Sequence, residues 1–186
     1  VEMAEKGVPV IGICGGFQML GEKVCDPLHV ESSNDEVEGL GLLPYTTSMH
    51  GKKNTYQVTF DCDDLPFLNM QFAGKGMRGY EIHMGETTLT KPAQSLFHIV
   101  QRSEDKVEDG FINEKRNVFG TYCHGLFDND DLRRAVINAL RRRKGLPELP
   151  VQFKYRAYKE SEFDRLAKMV RTHFDMDAFY EILRNE

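Results

Sequence analysis

The run Val8 to Ile13 (VPVIGI) constrains this chain more than any other stretch. It is short, apolar and β-branched, the pattern of a strand buried on both faces, as parallel sheets require. Before it, Val1 to Lys6 reads as the tail of a helix, stopped by Gly7 at the C-terminal cap position. After it come Cys14, Gly15 and Gly16, and Phe17 to Lys23 then returns to a helical pattern. Helix, buried strand, tight turn, helix is the order of a parallel α/β sheet.

A side chain placed between a buried strand and a helix sits on a sharp elbow, pushed out of the sheet edge into a cleft. Cys14 occupies that place, with Gly12 before it and Gly15 and Gly16 after it. Glycines are expected there because the backbone is crowded and side chains would clash. A helix N-terminus favours a thiolate, and the Gly15 N–H would face the oxyanion of a tetrahedral intermediate. The alternative is a buried structural cysteine at a strand end. A cysteine nucleophile needs a base. Asn117 to Cys123 (NVFGTYC) is a second buried-strand pattern, and it ends at His124. Carboxyl ends of parallel strands line one edge, where ligands bind, so Cys14 and His124 would project together. His29, His50, His98 and His173 fall in turn, strand or helix-surface settings. Cys123 should alternate away from His124 into the sheet.

Between Gly39 and about Arg102 the chain is rich in Gly, Thr and Asn, with alternating segments at Tyr56 to Phe60 and Leu96 to Gln101. Those periods predict antiparallel strands beside the main sheet. Asp128 to Lys144 is predicted helical, acidic at its start and basic at its end, as the helix dipole favours. Two further amphipathic helices are predicted at Ser161 to Arg171 and Asp177 to Leu183.

The chain's 186 residues suit one compact domain. A net charge of -5 argues against nucleic acid or an anionic membrane as partner. The run Arg141 to Lys144 reads as a solvated helix end rather than a nucleic-acid patch. There is no apolar run of membrane-spanning length and no signal-peptide pattern, so a cytoplasmic location is expected. The four cysteines form no CxxC pair, which predicts neither a disulfide framework nor a metal site. Cys25 with His29, or Cys62 among Asp61, Asp63 and Asp64, is better read as a buried thiol and an acidic turn.

Gly12-Ile13-Cys14-Gly15-Gly16-Phe17-Gln18-Met19-Leu20-Gly21 resembles the nucleophile motif of class I glutamine amidotransferases, in the CGG-[YF]-QMLG form of the cobyric acid synthase branch. Gly79 to Gly85 (GYEIHMG) and Gly120 to Asn129 (GTYCHGLFDN) resemble two further blocks of that branch, and Tyr155 to Ala167 resembles its C-terminal end. The resemblance runs over essentially the whole chain. It implies a class I amidotransferase-like, flavodoxin-like fold: a mostly parallel sheet flanked by helices, with added antiparallel strands in the middle.

The resemblance also implies a chemistry. The domain would hydrolyse glutamine through a γ-glutamyl thioester on Cys14, with His124 as base, Gly15 at the oxyanion and Gln18 touching the bound glutamine. It would need no cofactor of its own. An upstream synthetase domain using ATP and Mg would activate corrin-ring carboxylates, and ammonia would convert adenosylcobyrinic acid a,c-diamide to adenosylcobyric acid. Related amidotransferases of lipid II or of cobyrinic acid, and a catalytically inactive docking module, are the alternatives.

Three departures accompany the resemblance. Leu126 stands where most class I members carry a glutamate that orients the catalytic histidine, as in the cobyric acid synthase branch. Glu81 is a candidate substitute, although shaping the site mouth or the synthetase contact suits Glu81 and His83 better. The family's earlier strands and a Gly-containing loop are expected before Val1, which makes residues 1–186 an N-terminally incomplete amidotransferase domain. The chain contains no GxxxxGK[ST] phosphate loop, so nucleotide binding is expected in the synthetase domain.

Overall fold

A computed structural model of the protein describes residues 1–100 and 106–184. In chain order the elements are α1 (Glu2–Glu5), β1 (Val10–Ile13), α2 (Gly15–Leu20), β2 (Lys23–Cys25), β3 (Glu36–Glu38), β4 (Tyr45–Cys62) and β5 (Gly74–Leu89). They continue with β6 (Ser95–Val100), β7 (Lys106–Ile112), β8 (Val118–Thr121), α3 (Asp130–Arg143), α4 (Tyr155–His173) and α5 (Met176–Arg184). Chain contacts divide these into two units, Val1–Pro150 and Val151–Glu186. The second unit holds α4 and α5, where the Phe174 and Phe179 rings meet edge to face at 6.1 Å. Among the described residues, no helix is long and apolar enough to cross a membrane.

The first unit is built on one mixed sheet in the order β1-β8-β7-β6-β4-β2-β3, with β5 paired to β4. The pairing that matters most for the site is β1 with β8. It is parallel, with Ile13 opposite Thr121. β2 and β4 are also parallel, and the pairings through β5, β6 and β7 are antiparallel. The antiparallel share is larger than local patterning suggests, because β4 and β5 form one long hairpin from Tyr45 to Leu89.

Helices cover the sheet with apolar faces. α3 buries Leu132, Val136 and Ala139, the one-sided spacing of an amphipathic helix, in a cluster with Phe60, Phe97 and Phe119. α2 buries Phe17 and Leu20 in a separate cluster with Tyr45, Val118 and Tyr122. α2 ends at Leu20, earlier than the helical pattern to Lys23 suggests, because Lys23 opens β2 and pairs with Thr46. α4 begins at Tyr155, ahead of the predicted Ser161. Of the strand expected at Leu96 to Gln101, Gln101 lies outside the described residues, and the rest falls in β6.

Candidate active site

Cys14 follows β1 directly and opens α2 with φ 55° and ψ −115°. A positive φ is costly for a residue with a Cβ, and the surrounding structure must hold it. Two hydrogen bonds do so: the Cys14 N–H donates to Thr121 O at 3.0 Å, and the Gln18 N–H donates to Cys14 O at 3.0 Å. The first ties the elbow to β8 and the second starts the helix. The parallel placement expected from the two buried-strand patterns is present, so Cys14 and His124 leave the carboxyl ends of adjacent strands.

The flanking glycines have two different causes. A Cβ on Gly12 would lie 2.6 Å from Leu20 Cδ1 and 2.7 Å from Gly16 O, so the crowding expected of the elbow is real there. At Gly15 and Gly16 the same atom would meet nothing within 4 Å. The expectation of a clash fails at those two positions. The space beside the backbone is open at both positions.

The thiol is half-buried, and its Sγ donates to the Ile82 carbonyl at 3.4 Å. Burial raises the Cys14 pKa above the ordinary thiol value and outweighs the Gly15 N–H, which lowers it. The nearby charge of Glu31 raises it further. Desolvation thus works against the helix-start argument for a thiolate at Cys14. Asp26 fixes the backbone of the loop that carries Glu31. That buried carboxylate accepts from the N–H groups of Val30, Glu31 and Ser32 at 2.8–2.9 Å.

His124 is held by β5. Its N–H donates to Tyr80 O at 2.8 Å, and the Tyr80 N–H donates back to His124 O at 3.2 Å. The two rings stack at 4.8 Å between centroids and 8° between planes. Gly79 permits this approach, because a Cβ there would lie 2.5 Å from both Cys123 Sγ and His124 O. The buried Nε2 of His124 has no hydrogen-bond partner among the described residues. Burial, with a smaller push from the charge of His83, lowers the His124 pKa below the ordinary imidazole value. A neutral ring with a free nitrogen is the state in which histidine accepts a proton. Cys14 Sγ bonds to Ile82 O and not to His124, so the two side chains are not hydrogen-bonded to each other in this structure.

The other predicted residues fall around this pair. Gln18 lies one helical turn past Cys14 on α2, and the Tyr122 phenol pairs with Thr87 Oγ1 at 2.8 Å. Leu126 is 1% exposed, and it belongs to the apolar cluster behind α3, where a carboxylate would be stranded. Glu81 is buried and lines a cavity of about 420 Å³ with His83, Asp109 and Tyr122. Neither Cys14 nor His124 lines that cavity, and the ring against His124 belongs to Tyr80. Cys123, just past the end of β8, is buried as expected, although every residue from Asn117 to Cys123 is buried rather than alternate ones; burial raises its pKa. Sequence reading missed Tyr80 and Glu31. Tyr80 stood inside GYEIHMG beside the more conspicuous Glu81 and His83, and Glu31 lies in a loop without periodicity.

A cysteine on a strained strand–helix elbow, with a histidine beyond the end of the neighbouring parallel strand, suits acyl transfer. The model of the CobB/CobQ-like glutamine amidotransferase domain matches residues 1–132. The chain belongs to that family. Among curated relatives, the cobyric acid synthase of Caldanaerobacter subterraneus subsp. tengcongensis is 41% identical over 98% of this chain and 37% of its own length. That of Citrobacter koseri is 44% identical over 96% of this chain and 35% of its own. This amidotransferase chain thus spans just over a third of those relatives. The structure of PurLQS from Thermotoga maritima shares the fold, with a TM-score of 0.53 at 18% identity over 75% of this chain and 65% of that one.

Proposed function

We propose that this domain hydrolyses glutamine and supplies ammonia to the synthetase part of a cobyric acid synthase. His124 Nε2 takes the Cys14 proton as Sγ adds to the γ-carbonyl carbon of glutamine, and the carbonyl electron pair moves to oxygen. The Gly15 N–H faces that oxyanion. The intermediate collapses with the proton returned to the leaving nitrogen, so ammonia departs and a γ-glutamyl thioester remains on Cys14. Water, activated by His124, then releases glutamate and restores the thiol. Gln18 lies one helical turn from Cys14 and contacts the bound glutamine.

The relatives' name and length support the larger reaction. ATP and Mg, held in the synthetase part, activate a corrin-ring carboxylate, and ammonia converts it to the amide. The step is adenosylcobyrinic acid a,c-diamide to adenosylcobyric acid, in cobalamin biosynthesis. Four free cysteines suit the reducing cytoplasm.

One observation carries the reading: Cys14 and His124 emerge from the carboxyl ends of adjacent parallel strands, the first on a strained elbow. Acid quenching during turnover with isotopically labelled glutamine, followed by peptide mass spectrometry, should find a γ-glutamyl adduct on Cys14. An adduct on Cys123, or on no cysteine while glutamate still forms, would contradict the assignment.

A further inference from the structure

Leu126 removes the carboxylate that would fix a catalytic histidine, yet His124 is not loosely held. Its backbone is locked to Tyr80 by a reciprocal pair of hydrogen bonds. Its ring lies flat on the Tyr80 ring, 4.8 Å between centroids and 8° from parallel. Tyr80 is itself fixed by β5, where Tyr80 pairs with Gln57 and Gly79 pairs with Val58 of β4. Ile82, two residues further along the same strand, accepts the hydrogen bond from Cys14 Sγ at 3.4 Å. One strand therefore touches both members of the pair, and Tyr80 is its contact with the base.

We infer that Tyr80 is a positioning residue for the reaction, its ring face setting the His124 plane and stabilising the imidazolium formed when Cys14 gives up its proton. The inference rests on the proposed roles of Cys14 and His124. The physical basis is the negative face of an aromatic ring, which attracts a cation placed within about 6 Å of its centroid. In the resting state His124 is neutral and the stack mainly orients it. In the transition state the ring carries positive charge, and the attraction grows at that moment. A stabiliser stronger in the transition state than in the ground state accelerates the chemical step.

The test uses the intact protein and 6-diazo-5-oxo-L-norleucine, a glutamine-like diazoketone. In that reaction Cys14 Sγ bonds to the diazo carbon, dinitrogen leaves, and the thiol proton, relayed by His124, ends on the same carbon. Tyr80→Leu should slow the maximal labelling rate of Cys14 by roughly 3- to 30-fold, the range such ring–cation contacts support. The reagent concentration giving half the maximal rate should stay unchanged. Tyr80→Phe, which keeps the ring, should restore the rate.

Fluorinated phenylalanines placed at position 80 keep the shape while draining the ring face. The logarithm of the labelling rate should then fall steadily with each added fluorine. A flat series would overturn the inference, and it does so even if Tyr80→Leu fails to fold. Failure of the wild-type protein to label at Cys14 at all would instead overturn the amidotransferase reading.

Discussion

The proposed mechanism uses His124 in its neutral form, and its surroundings favour that form. Burial and the charge of His83 both act against the imidazolium. His83 is itself held with Nδ1 2.7 Å from Gly85 O, and its ring stacks on Tyr122 at 3.9 Å. Because a base must be unprotonated to work, kcat/KM for glutamine should fall at low pH as His124 protonates. The midpoint of that acid limb should lie below the ordinary imidazole value of about 6.5. Replacing His83 with Gln removes a like charge, so the His124 pKa should rise and the acid limb should move to higher pH. A pH–rate profile of the two proteins checks the sign; a shift to lower pH would show that His83 stabilises the imidazolium. At this scale the sequence marked Cys14 and His124, because each is a reactive side chain at the end of a buried run. It did not mark Tyr80, whose role exists only because a distant strand crosses over His124.

The elements that aim this pair depend on a buried clamp between β7 and β8. Asp109 is 5% exposed, accepts a hydrogen bond from the Thr121 hydroxyl, and accepts the Tyr122 N–H at 3.1 Å. Thr121 Oγ1 in turn accepts the Cys123 N–H at 2.9 Å. The three residues before His124 are thus pinned to one carboxyl group. Asp109→Ala would leave the Thr121 hydroxyl and the Tyr122 N–H buried and unsatisfied. We expect a loss of about 2 kcal/mol in urea unfolding, since an orphaned buried polar group costs on that order. Asp109→Asn keeps an acceptor and a donor in the same place and should lose less than half as much. Equal losses would mean that the charge, not the bonding pattern, matters at this site. Strand and helix patterns were legible along the chain, including β1, β8 and α3. The length of the β4–β5 hairpin was not, because its pairing is set by register across the turn rather than by local periodicity.

At the scale of the molecule, the proposed account separates two tasks. The unit Val1–Pro150 holds Cys14 and His124. The curated relatives are nearly three times as long as the stretch that matches here, which leaves room for carboxylate activation elsewhere. A ring face supports an imidazolium less strongly than a buried carboxylate does, whose loss can cost several orders of magnitude in rate. A glutaminase built this way suits a reaction in which free ammonia is wanted only when the activated acid is waiting. The family-level fold was readable from three motifs in order. Neither the thiol's raised pKa nor the open space at Gly15 and Gly16 was readable, because both depend on what β5 and the loop carrying Glu31 place around the elbow.

The most direct test replaces Cys14 with Ala in the intact enzyme and measures corrin amidation with glutamine and, separately, with ammonium salt as the nitrogen source. The account predicts that glutamine-dependent amidation is abolished while ammonia-dependent amidation stays close to the wild-type rate, because Cys14 serves only to release ammonia. Loss of both activities together, in a variant that remains folded, would show that Cys14 supports the structure rather than the chemistry.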